Sequence, residues 1–124
     1  MYELMVKESF AAAHNLRDYK GKCERVHGHN YNVEAYFTCM ELGKDGLAVD
    51  FTILKKHLKA VTESLDHRNL NKDIVFFKKN NTSAENIARY IYDYLKVKVK
   101  KAKISKVAIY ESDSSMASYT EETR

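Results

Sequence analysis

The sequence predicts an α+β domain, a four-stranded antiparallel sheet carrying two helices on one face. Apolar and polar residues alternate over the first 13 residues, again from Val26 to about Met40, and again from Ile104 to Glu111. Between the second and third of these stretches lie two segments whose apolar residues recur at spacings of three and four. Strands and helices are therefore segregated rather than alternating singly, which favours antiparallel pairing over a parallel crossover fold.

In the first stretch Leu4, Val6, Phe10, Ala12 and His14 share one parity, so its apolar face ends in a histidine; Glu8 interrupts the pattern. Residues 15–25 lose all periodicity, carry Gly21 and form a loop that includes Cys23. In the second strand His27, His29, Tyr31, Val33, Ala35, Phe37 and Cys39 fall on one face. Antiparallel pairing of these two strands would bring three histidines to one end of one sheet face. Leu42–Gly46 reads as a turn, followed by a short extended piece, Leu47–Val49.

Asp50 has the character of a helix N-cap, and Phe51, Leu54, Leu58, Val61 and Leu65 form one apolar stripe behind it. That helix ends near Leu65, where the polar run Asp66–Asn71 begins. A second helix starts at Thr82, where Thr82-Ser83-Ala84-Glu85 fits a capping box and Ser83 is an alternative cap. Its buried stripe is Ile87, Ala88, Ile91 and Tyr94 or Leu95. A lysine-rich connector, Lys96–Lys103, leads to the third strand, and Met116–Thr120 supplies a fourth. The tail from Glu121 is expected to fray.

Composition narrows the function classes. The 124 residues fit a single domain, 1–124, with the apolar and charged fractions of an ordinary globular protein. No apolar run reaches the roughly 18 residues of a membrane span. The charged amino terminus does not resemble a signal peptide, and two cysteines in unlike surroundings make no disulfide framework, so the cytoplasm is the expected location. The net charge of +4 gathers in the lysine connector. No aromatic residue is interleaved there for stacking on bases, so neither nucleic acid nor membrane is an expected partner.

The chemistry concentrates in Cys23-x3-His27-Gly28-His29. Two imidazoles on one strand face make half a site for a borderline metal such as zinc, and His14 on the neighbouring strand supplies a third ligand. Three histidines leave a tetrahedral position open. Cys23 could close it as a structural ligand, or could act as an acid/base thiolate with a lowered pKa beside the metal, Arg25 and Lys22. Asp66-His67 could be a carboxylate–imidazole pair or merely offset a helix macrodipole. Glu111 continues the Val107–Ile109 face. It is either a strand end emerging into solvent or a buried carboxylate awaiting a ligand with two adjacent donors, such as a 2-amino-pyrimidinone edge.

Six pieces in order, Phe10-Ala11-Ala12-Ala13-His14, Cys23-x3-His27-Gly28-His29, Val49-Asp50-Phe51, Leu65-Asp66-His67-x-Asn69-Leu70-Asn71, Thr82-Ser83-Ala84-Glu85-Asn86 and Tyr110-Glu111, resemble the 6-pyruvoyl-tetrahydropterin synthase / 6-carboxytetrahydropterin synthase family along nearly the whole chain. Position 82 departs, being Thr where many relatives carry Pro. The resemblance implies the tunnelling fold, whose subunits join their sheets into a trimeric β-barrel and stack as a homohexamer with active sites at subunit interfaces. It implies Zn²⁺ on His14, His27 and His29, and Cys23 as general base. Asp66 and His67 would complete proton transfer from a neighbouring subunit, and Glu111, helped by Ser83, would anchor the pterin. The implied substrate is 7,8-dihydroneopterin triphosphate. The short chain looks more like the carboxy-forming, queuosine-pathway type. The pyruvoyl product and a non-catalytic zinc-stabilised pterin-binding assembly are the alternatives, and Glu24 beside Cys23 leaves room for a retro-aldol side activity.

Overall fold

Two 13-residue strands, β1 (Tyr2–His14) and β2 (His27–Cys39), pair antiparallel without a break from Tyr2 opposite Cys39 to His14 opposite His27. The computed structural model describes residues 1–17 and 25–121. The sheet continues through β3 (Lys103–Ser112) and β4 (Ser115–Tyr119) in the order β1-β2-β3-β4, every neighbour antiparallel. Four long-range strands in sequence order need only hairpins and one helical excursion, as the segregated pattern requires.

Alternation decides which face is core. Val6, Phe10 and Ala12 of β1 and Tyr31, Val33, Ala35 and Phe37 of β2 are buried on the inner face. The outer face is polar: Glu34 accepts from the Tyr36 hydroxyl at 2.8 Å, and Lys106 lies 4.3 Å from the centre of the Tyr36 ring.

Two helices cover the inner face, α1 (Phe51–Leu65) over β1 and α4 (Ala84–Lys98) over β3 and β4, and they also touch each other. Asp50 caps α1 by accepting from the Thr52 amide at 2.8 Å. Leu54, Leu58, Val61 and Leu65 are fully buried, and removing one such side chain costs about 2–5 kcal/mol. Phe51, expected on this stripe, is 52% exposed. Helical side chains lean toward the N-terminus, so a residue in the first position leans off the end of the packed layer. In α4 the buried stripe is Ile87, Ala88, Ile91, Tyr92 and Leu95, and Ser83 rather than Thr82 is the cap.

Three local expectations change. Leu47–Val49 forms no strand; Gly46, at φ +80°, closes a turn with its amide on the Gly43 carbonyl, and Val49 tucks into the core. The segment between α1 and α4 contains two single-turn helices, α2 (Leu70–Asp73) and α3 (Phe76–Lys79), which seat Leu70 and Phe77 in the core. Four residues are too few to show a helical period. Lys96 and Lys98 belong to α4, so the connector to β3 is only residues 99–102.

Candidate active site

The strand register assembles the first group. His14 faces His27 directly across the β1–β2 pair, and Ala12 faces His29, so all three histidines project from the inner face at its open end. One ring nitrogen from each lies within 4.8 Å of the others. His14 is 1% exposed, whereas His27 and His29 are half-buried.

Hydrogen bonds set the tautomers. His14 Nδ1 donates to the Thr82 carbonyl at 2.8 Å, and His27 Nδ1 donates to the Arg25 carbonyl at 2.7 Å. Each ring then presents the Nε2 lone pair to the centre of the cluster, where the two Nε2 atoms are 3.1 Å apart. Two lone pairs at that distance repel unless a cation lies between them. Ligands at zinc–nitrogen bond lengths around a tetrahedral ion are roughly 3.3 Å apart, so the donor set fits a divalent metal. Burial is the largest influence on His14 and pulls its pKa down to about 4; the Thr82 carbonyl opposes this, and the two neighbouring imidazoles reinforce it. A ring that stays neutral at ordinary pH is a ready ligand.

Asp66 and His67 are held against the edge of β1. The Ala11 amide donates to Asp66 Oδ1 at 2.8 Å, the His67 amide donates to the Ala11 carbonyl at 2.6 Å, and Ala13 bridges to Asn69. His67 adopts φ +57°, a left-handed conformation that costs a non-glycine residue about 1 kcal/mol or more. Its ring is 83% exposed, with Nε2 3.6 Å from Asp66 Oδ2. A cavity of about 410 Å³ is lined by outward-facing Ala11, Ala13 and Gly28 together with His29 and His67. The side chain that Gly28 lacks would meet nothing within 4 Å, so the glycine keeps this opening clear rather than relieving a clash.

Ser83 and Glu111 meet in a second cavity of about 280 Å³, which Leu16, Glu85 and Met116 also line. The Ser83 hydroxyl accepts from the Asn86 amide at 3.2 Å as the cap of α4 and keeps a proton to donate. The β3–β4 register slips between Tyr110 and Ser112, which leaves half-buried Glu111 out of the ladder and turned to this cavity. Cys23, Lys22 and Glu24 lie outside the described residues. Cys39 is partly buried against the core and donates to the Glu41 carbonyl at 3.0 Å.

Residues that sequence reasoning passed over also converge here. Thr82 is fully buried against His14, and Asn71 and Asn81 bond the backbone just after it. The available signal was a cluster of short amide side chains, Asn69, Asn71, Asn80 and Asn81, flanking a polar gap between helices.

Comparison with known proteins gives these groups a setting. A family model described as 6-pyruvoyl tetrahydropterin synthase matches residues 3–122. A putative 6-pyruvoyl tetrahydrobiopterin synthase of Caenorhabditis elegans is 34% identical, over 90% of this chain and 89% of its own. A 6-carboxy-5,6,7,8-tetrahydropterin synthase of Synechocystis is 33% identical, over 74% of this chain and 73% of its own. The solved structure of Caenorhabditis elegans 6-pyruvoyl tetrahydropterin synthase superimposes with a TM-score of 0.89 at 31% identity, covering 98% of this chain and 96% of that one. With the family model spanning almost the whole chain and the fold shared throughout, the chain belongs to the 6-pyruvoyl tetrahydropterin synthase family.

Proposed function

We propose that the protein is a zinc-dependent lyase that converts 7,8-dihydroneopterin triphosphate to 6-carboxy-5,6,7,8-tetrahydropterin, releasing acetaldehyde and triphosphate, in the route to queuosine. The observation that carries this reading is the pair of converging lone pairs on His14 and His27, with His29 beside them, in a chain of this family. His14, His27 and His29 would hold the zinc, which supplies polarisation of a side-chain hydroxyl or carbonyl. Cys23, as thiolate, accepts a proton from the substrate side chain. Asp66 sits beside the His67 ring, which returns the proton; because that ring is largely exposed, a neighbouring subunit is the place for it to work. Glu111 takes the two adjacent N–H donors of the pterin ring, and the Ser83 hydroxyl donates to an acceptor beside them.

The same reading makes 1–124 one tunnelling-fold domain, in the cytoplasm, joined by its sheet into a trimeric β-barrel and then a hexamer. No helix among the described residues is long and apolar enough to cross a membrane. A second reading keeps the same site but stops at 6-pyruvoyl-tetrahydropterin; relatives carrying that name are as similar as the carboxy-forming one. Incubating purified protein with 7,8-dihydroneopterin triphosphate and identifying products by mass decides between them. Acetaldehyde with the carboxy product supports the first reading, the pyruvoyl product supports the second, and release of neither acetaldehyde nor triphosphate overturns both.

A further inference from the structure

Beyond His14 the chain leaves the sheet but does not lose its partners. The Asn15 amide donates to Asn71 Oδ1 at 2.9 Å, and Asn71 Nδ2 donates back to the Asn15 carbonyl at 3.0 Å. Two residues on, the Arg17 amide donates to Asn81 Oδ1 at 2.9 Å, and Asn81 Nδ2 donates to the Arg17 carbonyl at 2.7 Å. In an extended chain, alternate residues turn both backbone groups to the same side. Two carboxamides spaced to meet residues 15 and 17 thus take the place of a neighbouring strand.

Thr82 ties this arrangement to the metal ligand. Its hydroxyl donates to the Asn15 carbonyl at 3.0 Å and lies 3.2 Å from His14 Nδ1, while its carbonyl accepts from that same nitrogen. The surrogate strand is itself anchored. Asn86 Nδ2, in the first turn of α4, donates to the Asn81 carbonyl at 3.0 Å, and Asn69 caps the helix that carries Asn71.

We propose that Asn71, Asn81 and Thr82 are positioning residues for the metal site: a side-chain substitute for a β-strand that clamps Asn15–Arg17 and so holds the His14 ring in its ligating pose. The proposal rests on the zinc reading above. It explains why a buried threonine occupies position 82. Proline there would offer the same carbonyl but no hydroxyl to bridge His14 and Asn15. Removing an outer partner of a metal-bound histidine typically lowers metal affinity by about 10–100-fold.

The test follows zinc rather than turnover. Zinc-loaded wild type, Asn71→Leu, Thr82→Val, Thr82→Ser and Asn80→Ala are mixed with a chromophoric chelator, and thermal unfolding of each zinc-free protein is recorded alongside. Asn80 is the control, because its side-chain amide bonds the Phe76 carbonyl rather than residues 14–17. Asn71→Leu and Thr82→Val are expected to release zinc about 10–100-fold faster than wild type, with Thr82→Ser and Asn80→Ala close to wild type. Equal release from all five overturns the clamp and leaves the zinc reading intact. Faster release from Asn80→Ala at matched loss of thermal stability also overturns it, as a global effect. A wild-type chain that holds no zinc overturns both.

Discussion

The Asp66 carboxylate accepts the Ala11 amide of β1 at 2.8 Å through Oδ1, and turns Oδ2 toward the His67 ring 3.6 Å away. One oxygen is tied to the strand and the other is left beside the imidazole. Asp66→Asn can keep the first contact while losing the charge; Asp66→Ala loses both. The Asn variant is expected to unfold at the wild-type temperature with turnover reduced about 10²-fold or more, the usual worth of a proton-transfer group. The Ala variant is expected to lose activity and also about 1 kcal/mol of stability. Calorimetry and steady-state kinetics on the pair separate the two roles, and a fully active Asn variant would remove Asp66 from catalysis.

Cys23→Ala tests which of its two roles the cysteine fills. As the base, its loss abolishes turnover and leaves one zinc per chain unchanged. Zinc lost together with activity would instead make Cys23 a structural ligand, closing the position that three histidines leave open. Metal analysis of the purified variant beside an activity assay gives the answer.

Glu111→Gln replaces an acceptor pair by one acceptor and one donor, in a cavity that Ser83 shares. A pterin ring presenting two donors should bind about 10–100-fold more weakly, the cost of a lost charged hydrogen bond plus an unmatched donor. Fluorescence titration with a non-reactive pterin reads this directly. Zinc content should not change, since Glu111 is absent from the histidine cluster.

Acid should destabilise the zinc-free protein through His14. Its pKa falls from 6.5 in the unfolded chain to about 4 in the fold, so between these values the unfolded state binds the extra proton. Stability is fully present above about pH 6.5 and declines as pH drops toward 4, by a few kcal/mol in total. Urea unfolding of chelator-treated protein across that range should show the slope, and His14→Phe should flatten it.

Much of this was legible because strand parity is a strong signal. The alternation from Leu4 to His14 and from His27 to Phe37 specified the core face and, with it, the side on which the histidines meet. The long helices were readable from Leu54–Leu65 and Ile87–Leu95, where the apolar stripe persists for several turns. Single-turn helices at Leu70 and Phe76 left no period to detect. The clamp on Asn15 and Arg17 was hidden for another reason. An asparagine that bonds backbone far away in sequence looks, in the sequence, like any loop asparagine, and only the fold says which chain segment it meets.

The uninterrupted β1–β2 register acts as a ruler. His14 reaches the cluster because an even number of steps separates it from Phe10, with its buried ring, and the same parity holds from His29 to Tyr31. Deleting one residue between Phe10 and His14 would swing the imidazole to the opposite side of the sheet while leaving composition and length almost unchanged; deleting two would restore its side but shorten its reach. Length variation among chains of this kind is therefore expected to gather in the loops and, within this hairpin, to come in steps of two.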